Sequence, residues 1–391
     1  MAQPTSLFSV AARADIPPFH VMDVVSAAAK RQRERGDVLS LAAGQPSSPA
    51  PAPVRAAAAE ALAKQTLGYT EQLGILELRS AIAGHYGRSY DLDVSPEDVV
   101  VTTGSSGGFL LAFLAAFDPG DRVALTRPGY PAYRNILRAL GCEVVELPCE
   151  HETRFQPTVE LLESLEQPIK GLIVASPANP TGTGLDPAEL ARIAQWCAAN
   201  GVRLVSDEIY HGISYGQPLG CAWQTSREAI VANSFSKYFA MTGWRLGWLL
   251  LPAGLRRAVD CLTGNFTLCP PALSQYAAVA AFTQESYAEA DAHVLRYRTN
   301  RDLLLSGLAG LGIDRVAPAD GAFYVYADIG HLTEDSMGFC RKLLADTGVA
   351  VVPGIDFDPV HGNRFVRLSF ASATATITEA VQRIGNWLPT L

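Results

Sequence analysis

Three polar side chains each follow a short apolar segment of the kind that forms a buried strand. The sequence separates Asn179 from Asp207 by 28 residues and Asp207 from Lys237 by 30 residues. Each interval is about the length of one β-α-β unit. Because ligands bind at the carboxyl edge of open α/β sheets, we expect an amide, a carboxylate and an amine to meet there around a polar ligand.

A phosphorylated pyridine carrying an aldehyde, pyridoxal phosphate, would use every one of these groups. A lysine such as Lys237 forms a Schiff base with an aldehyde, and an acid such as Asp207 keeps the ring nitrogen protonated. An opposite charge at ~4–6 Å typically shifts a pKa by ~1–3 units toward the charged form. Asn179, and Tyr210 three residues after Asp207, are expected to donate to the phenolic oxygen.

The phosphate of such a cofactor has its own candidate residues. Ser105 and Ser106 lie between a predicted strand and a predicted helix, where backbone N–H groups and the helix dipole favour an anion. Ser234, Ser236 and Arg245 add hydroxyls and a guanidinium. We expect these five residues to surround the phosphate.

The elements that must position these residues alternate from about residue 98. Short β-branched segments follow longer helical patterns, which is typical of an α/β fold with a mostly parallel sheet sandwiched by helices. Asp186 followed by a proline marks a helix start, and Gly201 marks its end. The predicted strands are 99–103, 122–126, 171–176, 202–205 and 230–232, and a helix is predicted at 105–117.

Beyond residue 290 the pattern predicts a smaller α+β domain. A long helix runs through Arg301, strands follow at 322–326 and 365–369, and a closing helix places four apolar residues on one face, Ile377, Val381, Ile384 and Leu388. The Pro/Ser/Ala-rich stretch 46–53 indicates a connector. We therefore predict an N-terminal arm with part of the small domain at 1–46, a large domain at 47–290 and a small domain at 291–391.

Composition narrows the class of protein. With 391 residues, 48% of them hydrophobic, the chain can bury a large core, and its formal charge of −8 argues against nucleic acid as a partner. Seven widely spaced cysteines without a Cys-x-x-Cys pair argue for a reducing compartment and against a thiolate metal site. The longest apolar stretch, 109–117, is 9 residues against roughly 20 for a membrane span. We expect a cytoplasmic protein without metal.

The segment Ser234-Phe235-Ser236-Lys237, followed by Gly243-Trp244-Arg245-Leu246-Gly247, resembles the lysine signature of the class I/II pyridoxal-phosphate aminotransferases of fold type I, which include aspartate aminotransferase. The resemblance covers nearly the whole chain. Its other parts are Gly44 before Pro46, Tyr69 to Arg79, Asn179 to Gly182, Asp207 to Tyr210, and Arg367 to Ser369.

The resemblance implies a transaminase that moves an amino group between an L-amino acid and a 2-oxo acid through a Lys237 Schiff base. It also implies that Tyr130 stacks on the ring, that Arg367 clamps the substrate α-carboxylate, and that the backbone at Gly44 closes over it. Tyr69 is implied to reach the phosphate of a neighbouring subunit, which requires a homodimer. One departure, Ser47-Ser48 after the Gly-x-Pro, leaves the side-chain pocket and the amino donor open.

Three alternatives remain open from the sequence. Another pyridoxal-phosphate reaction, a C–S β-lyase or a decarboxylase, would use the same residues on a different bond. A serine hydrolase would use Ser106 within Gly104–Gly108, which matches Gly-x-Ser-x-Gly, with His361 downstream as base. A cofactor-free interaction protein on this fold would purify colourless and stay so with added pyridoxal phosphate.

Overall fold

The computed structural model describes residues 10–390. Its α-helices are α1 (His20–Arg35), α2 (Ala52–Lys64), α3 (Leu76–Tyr90), α4 (Gly104–Ala116), α5 (Pro131–Leu140), α6 (Val159–Glu163), α7 (Pro187–Asn200), α8 (Ala253–Phe266), α9 (Ala272–Ala278), α10 (Gln284–Gly310), α11 (Ser336–Thr347) and α12 (Thr374–Trp387). Its strands are β1 (Leu39–Ser40), β2 (Val99–Thr102), β3 (Arg122–Arg127), β4 (Glu143–Pro148), β5 (Gly171–Ala175), β6 (Arg203–Asp207), β7 (Ile230–Ser234), β8 (Gly247–Leu250), β9 (Tyr324–Asp328), β10 (Val349–Ala350), β11 (Val352–Pro353) and β12 (Phe365–Ser369).

Seven strands form the main sheet in the order β2-β8-β7-β6-β5-β3-β4. Strand β8 is antiparallel to both of its neighbours, and the other pairings are parallel. Alternate residues of β5 belong to apolar clusters on opposite faces, Leu172 and Val174 to one and Ile173 and Ala175 to the other. Both faces are therefore buried under helices, which confirms the predicted α/β sheet. We call this sheet with its helices the large unit.

Local signals set the bounds of α7 as predicted. The side chain of Asp186 accepts a hydrogen bond from the backbone N–H of Ala188 at 2.8 Å, and Pro187 occupies the first helical position. Gly201 ends the helix in the left-handed conformation with φ of 64°. The helix delivers the chain to β6, whose last residue is Asp207.

A small unit follows, built on the antiparallel sheet β11-β12-β9. The N-terminal segment joins it, since β1 pairs with β10 and Leu41 lies in the same apolar cluster as Ile377 and Ile384. Val381 and Leu388 pack against that cluster while partly exposed. Residues 39–41 thus join the small unit, and the predicted boundary at residue 46 stays a prediction; residues 1–9 and 391 lie outside the described part.

Several predicted boundaries differ from the observed ones by one or two residues. The strand expected at 322–326 begins at Tyr324, because Ala322 has a φ of 55°, which a strand does not accommodate. Helix α10 runs unbroken across residue 290, with Tyr287 packed in the large unit and Tyr297 in the small one. The division of the chain at 290 therefore falls inside a helix and stays a prediction.

Across the part of the chain that the structure describes, no helix has both the length and the apolar character that crossing a membrane would require.

The glycines at 74 and 84 provide a matched pair for testing backbone requirements. Gly74 has a φ of 97°, and an added Cβ would lie 2.5 Å from the Val101 side chain, whereas a Cβ on Gly84 would meet nothing within 4 Å. We expect Gly74→Ala to lower the free energy of unfolding by about 2 kcal/mol or more. Gly84→Ala, within α3, should raise it by about 0.5–1 kcal/mol. Urea unfolding followed by circular dichroism measures both, and a Gly74→Ala protein as stable as the parent would contradict the argument.

Candidate active site

A cavity of about 590 Å³ lies where the carboxyl edge of the main sheet faces the small unit. Eleven of the thirteen predicted site residues line it. They come from five strand ends or loops, from the start of α4 and from the N-terminal segment. These residues are Gly44, Ser105, Ser106, Tyr130, Asn179, Asp207, Tyr210, Ser236, Lys237, Arg245 and Arg367.

Asp207 is a buried carboxylate, only 4% exposed, at the end of β6. Its two oxygens accept hydrogen bonds from the backbone N–H of Ile209 at 3.1 Å and from the hydroxyl of Tyr133. Burial raises the pKa of Asp207 to about 6, and the Tyr133 and Ile209 donors oppose that rise. The sequence analysis missed Tyr133, because nothing but its position one helical turn after Tyr130 distinguishes it from a core aromatic.

Lys237 extends its amine into the same cavity. The Nζ atom donates to the carbonyl oxygen of Gly44 at 2.7 Å and lies 5.7 Å from the ring centre of Tyr210. Burial and, next, the charge of Arg367 lower the pKa of Lys237 to about 8, with Asp207 opposing the shift. More of the amine is therefore unprotonated near neutral pH than in a solvated lysine, as bonding to an aldehyde requires.

The start of α4 forms an end of the cavity suited to an anion. Gly104 has a φ of 75°, and a Cβ there would lie 2.5 Å from Nη2 of Arg245, so only glycine permits this approach. Ser105 and Ser106 follow in the first turn of the 13-residue helix. Arg245 donates from Nη1 to the carbonyl of Thr242 at 3.0 Å. Many proteins bind phosphate with this combination of groups: N–H groups at a helix start, hydroxyls and a guanidinium.

Two predicted residues do not line this cavity. The Ser234 hydroxyl lies 2.9 Å from that of Ser236 and accepts from the Ser236 backbone N–H at 3.0 Å, so Ser234 sits behind Ser236 and supports it. Tyr69 is 85% exposed on this chain. The hydroxyl of Ser234 is engaged by Ser236 within the protein, and direct contact of Ser234 with the phosphate stays a prediction.

Arg367 is a guanidinium that is almost fully buried, with 2% exposure. It donates to the side-chain oxygen of Asn179 at 2.9 Å and to the carbonyl of Ala42 at 2.7 Å, and its carbon lies 4.5 Å from the ring centre of Tyr324. Its Nε has no hydrogen-bond partner among residues 10–390. Since Asn179 accepts through its oxygen, its amide hydrogens remain available to a ligand.

An apolar wall that the sequence analysis missed closes one side of the cavity. It comes mainly from the start of α1, and its members are Phe19, Val21, Met22, Val25 and Ile209. The α1 positions depend on the N-terminal segment folding back over the sheet, where the side chain of Asp356 accepts from the backbone N–H groups of His20 and Val21 at 3.0 and 2.6 Å. No local sequence pattern indicates that contact between residues more than 300 positions apart.

The hydrolase alternative requires Ser106 and His361 to meet. Ser106 lines this cavity, whereas His361 lines a different one and is 51% exposed. The pair is not assembled, so that expectation was wrong. A Gly-x-Ser-x-Gly spacing is too short to specify a distant base.

The groups that line the cavity match the parts of the cofactor predicted from the sequence. Hydroxyls, a helix N-terminus and Arg245 offer donors for a phosphate, and the carboxylate of Asp207 offers an acceptor for a protonated ring nitrogen. A reactive amine, Lys237, lies in the same cavity. The donor set therefore fits pyridoxal phosphate, and the fold and site together define an enzyme of the pyridoxal-phosphate-dependent class.

Comparison with known proteins identifies the family. The model for "Aminotransferase class I and II" matches residues 36–384. A valine–pyruvate aminotransferase of Mycobacterium tuberculosis is 65% identical over 382 residues, which are 97% of this chain and 98% of that protein. The chain belongs to the class I and II aminotransferases.

Solved structures agree with this assignment. A crystal structure of an aminotransferase from Mycobacterium tuberculosis superposes with a TM-score of 0.97 at 64% identity, covering 98% of this chain and 100% of that one. Aspartate aminotransferase from Thermus thermophilus with maleate gives 0.92 at 33% identity, covering 97% and 100%. The chain is a pyridoxal-phosphate-dependent transaminase acting on amino acids and 2-oxo acids. The lyase, decarboxylase and interaction-protein alternatives are therefore set aside.

The low pKa of Lys237 has a direct test in the apoprotein. Competitive acetylation with trace acetic anhydride, read by peptide mass spectrometry, should show Lys237 gaining reactivity with a midpoint near pH 8, because only the unprotonated amine reacts. Exposed Lys30 serves as the internal reference. In Arg367→Gln the midpoint should move upward, since the repelling charge is gone. A parent midpoint at pH 10 or above would refute this account of the amine.

Proposed function

We propose that Lys237 is the residue that bonds to pyridoxal phosphate and that Asp207 holds the proton on its ring nitrogen. The observation that carries the proposal is the placement of the Lys237 amine in one cavity with a buried carboxylate and a buried guanidinium. Ser105, Ser106, Ser236 and Arg245 would hold the phosphate. Tyr130 would cover the ring, and Asn179 and Tyr210 would donate to the phenolic oxygen.

When bound, pyridoxal phosphate supplies an aldehyde for amines and a ring that accepts the electrons released at the substrate α-carbon. Once the substrate amine has replaced it on the aldehyde carbon, the freed Lys237 amine would carry the proton from the substrate α-carbon to that carbon, and it would carry out the reverse transfer in the second half-reaction. Positioned proton transfer of this kind typically contributes ~10²–10⁴-fold to the rate. The lowered pKa of the free amine, about 8, supports this role, because it makes the unprotonated form that accepts a proton easier to reach once Lys237 is released.

Arg367 is proposed to hold the substrate α-carboxylate. Its remaining N–H donors, in a buried setting, would bind a carboxylate as a paired contact. Asn179 fixes one edge of the guanidinium at 2.9 Å and the Ala42 carbonyl another at 2.7 Å. Fixing the carboxylate orients the α C–H bond for removal of its proton. The energy of binding the carboxylate is in this way used to accelerate the reaction.

We propose a neutral aliphatic amino acid as the donor and pyruvate as the acceptor. The similar protein of Mycobacterium tuberculosis is named a valine–pyruvate aminotransferase, and the apolar wall of α1 suits a branched side chain. Lys237, Arg245 and Arg367 are the cationic residues among those lining the cavity in the described chain. None of the three is left over for a second substrate carboxylate, which argues against a dicarboxylic donor.

A homodimer in the cytoplasm completes the proposal. Tyr69 is 85% exposed on this chain and outside its cavity, as expected of a residue that completes the phosphate site of a second copy. The seven cysteines are free thiols, which suits a reducing compartment.

Substitution of the two main charged residues tests the assigned roles. Lys237→Ala should lose essentially all turnover while keeping its fold, because the amine that bonds to the cofactor and moves the proton is gone. Arg367→Ala should mainly weaken substrate capture, lowering kcat/KM about 10- to 150-fold, as for loss of a charged hydrogen bond. Steady-state kinetics and circular dichroism measure both effects, with Lys30→Ala as an exposed control. Normal turnover in Lys237→Ala would refute the mechanism.

A donor screen tests the substrate assignment. With pyruvate as acceptor, L-valine should give a kcat/KM at least about tenfold above that of L-aspartate, since an unpaired carboxylate against the apolar wall costs well over 1.4 kcal/mol. Formation of the oxo acid is followed by chromatography. Preference for aspartate with 2-oxoglutarate would show that a second cation, from a partner subunit, reaches the site.

A further inference from the structure

A second cavity, of about 270 Å³, lies between the large and small units away from the active site. The large unit contributes Arg127, the last residue of β3, and Cys149, which follows β4. The small unit contributes Asp328 at the end of β9 and Phe365 at the start of β12. A molecule in this cavity would touch both units at once.

Tyr326 provides the first sign of a ligand. Its side chain is 1% exposed and lines the cavity, and its hydroxyl has no hydrogen-bond partner in the part of the chain that the structure describes. The ring stacks on Phe365 at 4.7 Å with planes 5° apart and meets Phe357 edge-on at 6.3 Å. A buried phenol without a partner costs about 1–3 kcal/mol, so a polar atom from outside the chain is expected to meet it.

The charged residues of the cavity have donors to spare. Asp328 already accepts from Arg364 at 3.0 and 2.9 Å and from the Gly330 backbone at 2.8 Å. Asp358 accepts from Arg127 at 3.4 Å and from the backbone of Val360 at 2.8 Å. Because a guanidinium has five N–H donors, the two arginines retain hydrogens that these carboxylates do not take up. Arg315 and the acids Glu150 and Glu152 also line the cavity, so the spare N–H donors and the Tyr326 hydroxyl form a local site for a ligand oxygen and not a cavity of net positive charge.

The apolar part of the lining suits a ligand with a short carbon chain. Phe155, Val316 and Ala317 are apolar and suit a short carbon chain rather than a free inorganic anion. The volume, about 270 Å³, equals roughly nine times the ~30 Å³ that a water molecule occupies in the liquid. A compound of the size of a small amino acid or 2-oxo acid fits that space.

We propose that this cavity is a second binding site for a small organic carboxylate, held by Arg127, Arg364 and the hydroxyl of Tyr326. Glu150, exposed at the mouth with an oxygen 3.9 Å from Nε2 of His361, would meet the ammonium of an amino acid. The site is linked to the active site through the chain, since Pro128 precedes Tyr130 by two residues and Tyr326 follows Tyr324 by two. Occupancy would therefore bias how the two units meet around the active site.

The test uses the holoenzyme of Arg367→Ala, which weakens carboxylate binding in the active site, and the probe 3,3,3-trifluoropropionate observed by ¹⁹F NMR. Saturable binding should persist in this background, and adding Tyr326→Phe should weaken it about 2- to 10-fold. Arg364→Gln, which removes a cation and frees Asp328, should abolish it. Tyr326→Phe alone should leave activity intact and should keep or raise thermal stability, since it removes only an unpaired buried hydroxyl.

Competition then identifies the source of the carboxylate. Displacement of the probe by L-valine but not pyruvate would assign an amino acid, and the reverse would assign a 2-oxo acid. Displacement by inorganic phosphate alone, or binding that Tyr326→Phe and Arg364→Gln both leave unchanged, would overturn the proposal. So would the absence of saturable binding in Arg367→Ala. None of these results depends on which amino acid the active site uses.

Discussion

The active-site cavity gathers three cationic side chains around one carboxylate, and this imbalance constrains what the site can hold. Lys237, Arg245 and Arg367 line it with Asp207 as the single acid among the described lining residues. Cations brought together in a partly desolvated space repel one another, and the lowered pKa of Lys237, about 8, reflects this together with burial. Anions that bind in the cavity would reduce this repulsion between the cations. The proposed phosphate at Arg245 and substrate carboxylate at Arg367 would offset the charges of the two guanidinium groups.

The fold meets this constraint by drawing the charged groups from separate parts of the chain. Asn179, Asp207 and Lys237 follow or end neighbouring strands of the main sheet, whereas Arg367 comes from β12 of the small unit. The hydrogen bond from Arg367 to Asn179, 2.9 Å, crosses between the two units. The proposed carboxylate-binding residue and the proposed cofactor site are thus directly connected, and movement of the small unit would alter both.

The sequence predicts the position of a residue when local contacts determine that position, and it fails when contacts between distant segments do. Asp207 and Lys237 were predictable because strand ends in a parallel sheet meet at one edge, and their spacing encodes that. Tyr133 and the α1 wall were not, since their positions depend on packing between segments far apart in sequence. Ser234 shows a finer limit: it and Ser236 look equivalent in the sequence, and only the hydrogen bond between them, 2.9 Å, reveals which faces the cavity.

The hydroxyl of Tyr133 solves a problem that burial creates. An acid that is to keep a ring nitrogen protonated must itself stay ionised, yet burial raises the pKa of Asp207 to about 6. Hydrogen bonds from Tyr133 and from the backbone of Ile209 favour the ionised form and oppose that rise. Because both donors are neutral, they stabilise the carboxylate without cancelling its charge. A nearby arginine would cancel it. Asp207 therefore keeps a negative charge that could pair with a positively charged ring. The donors from Tyr133 and Ile209 are as necessary for that pairing as the carboxylate itself.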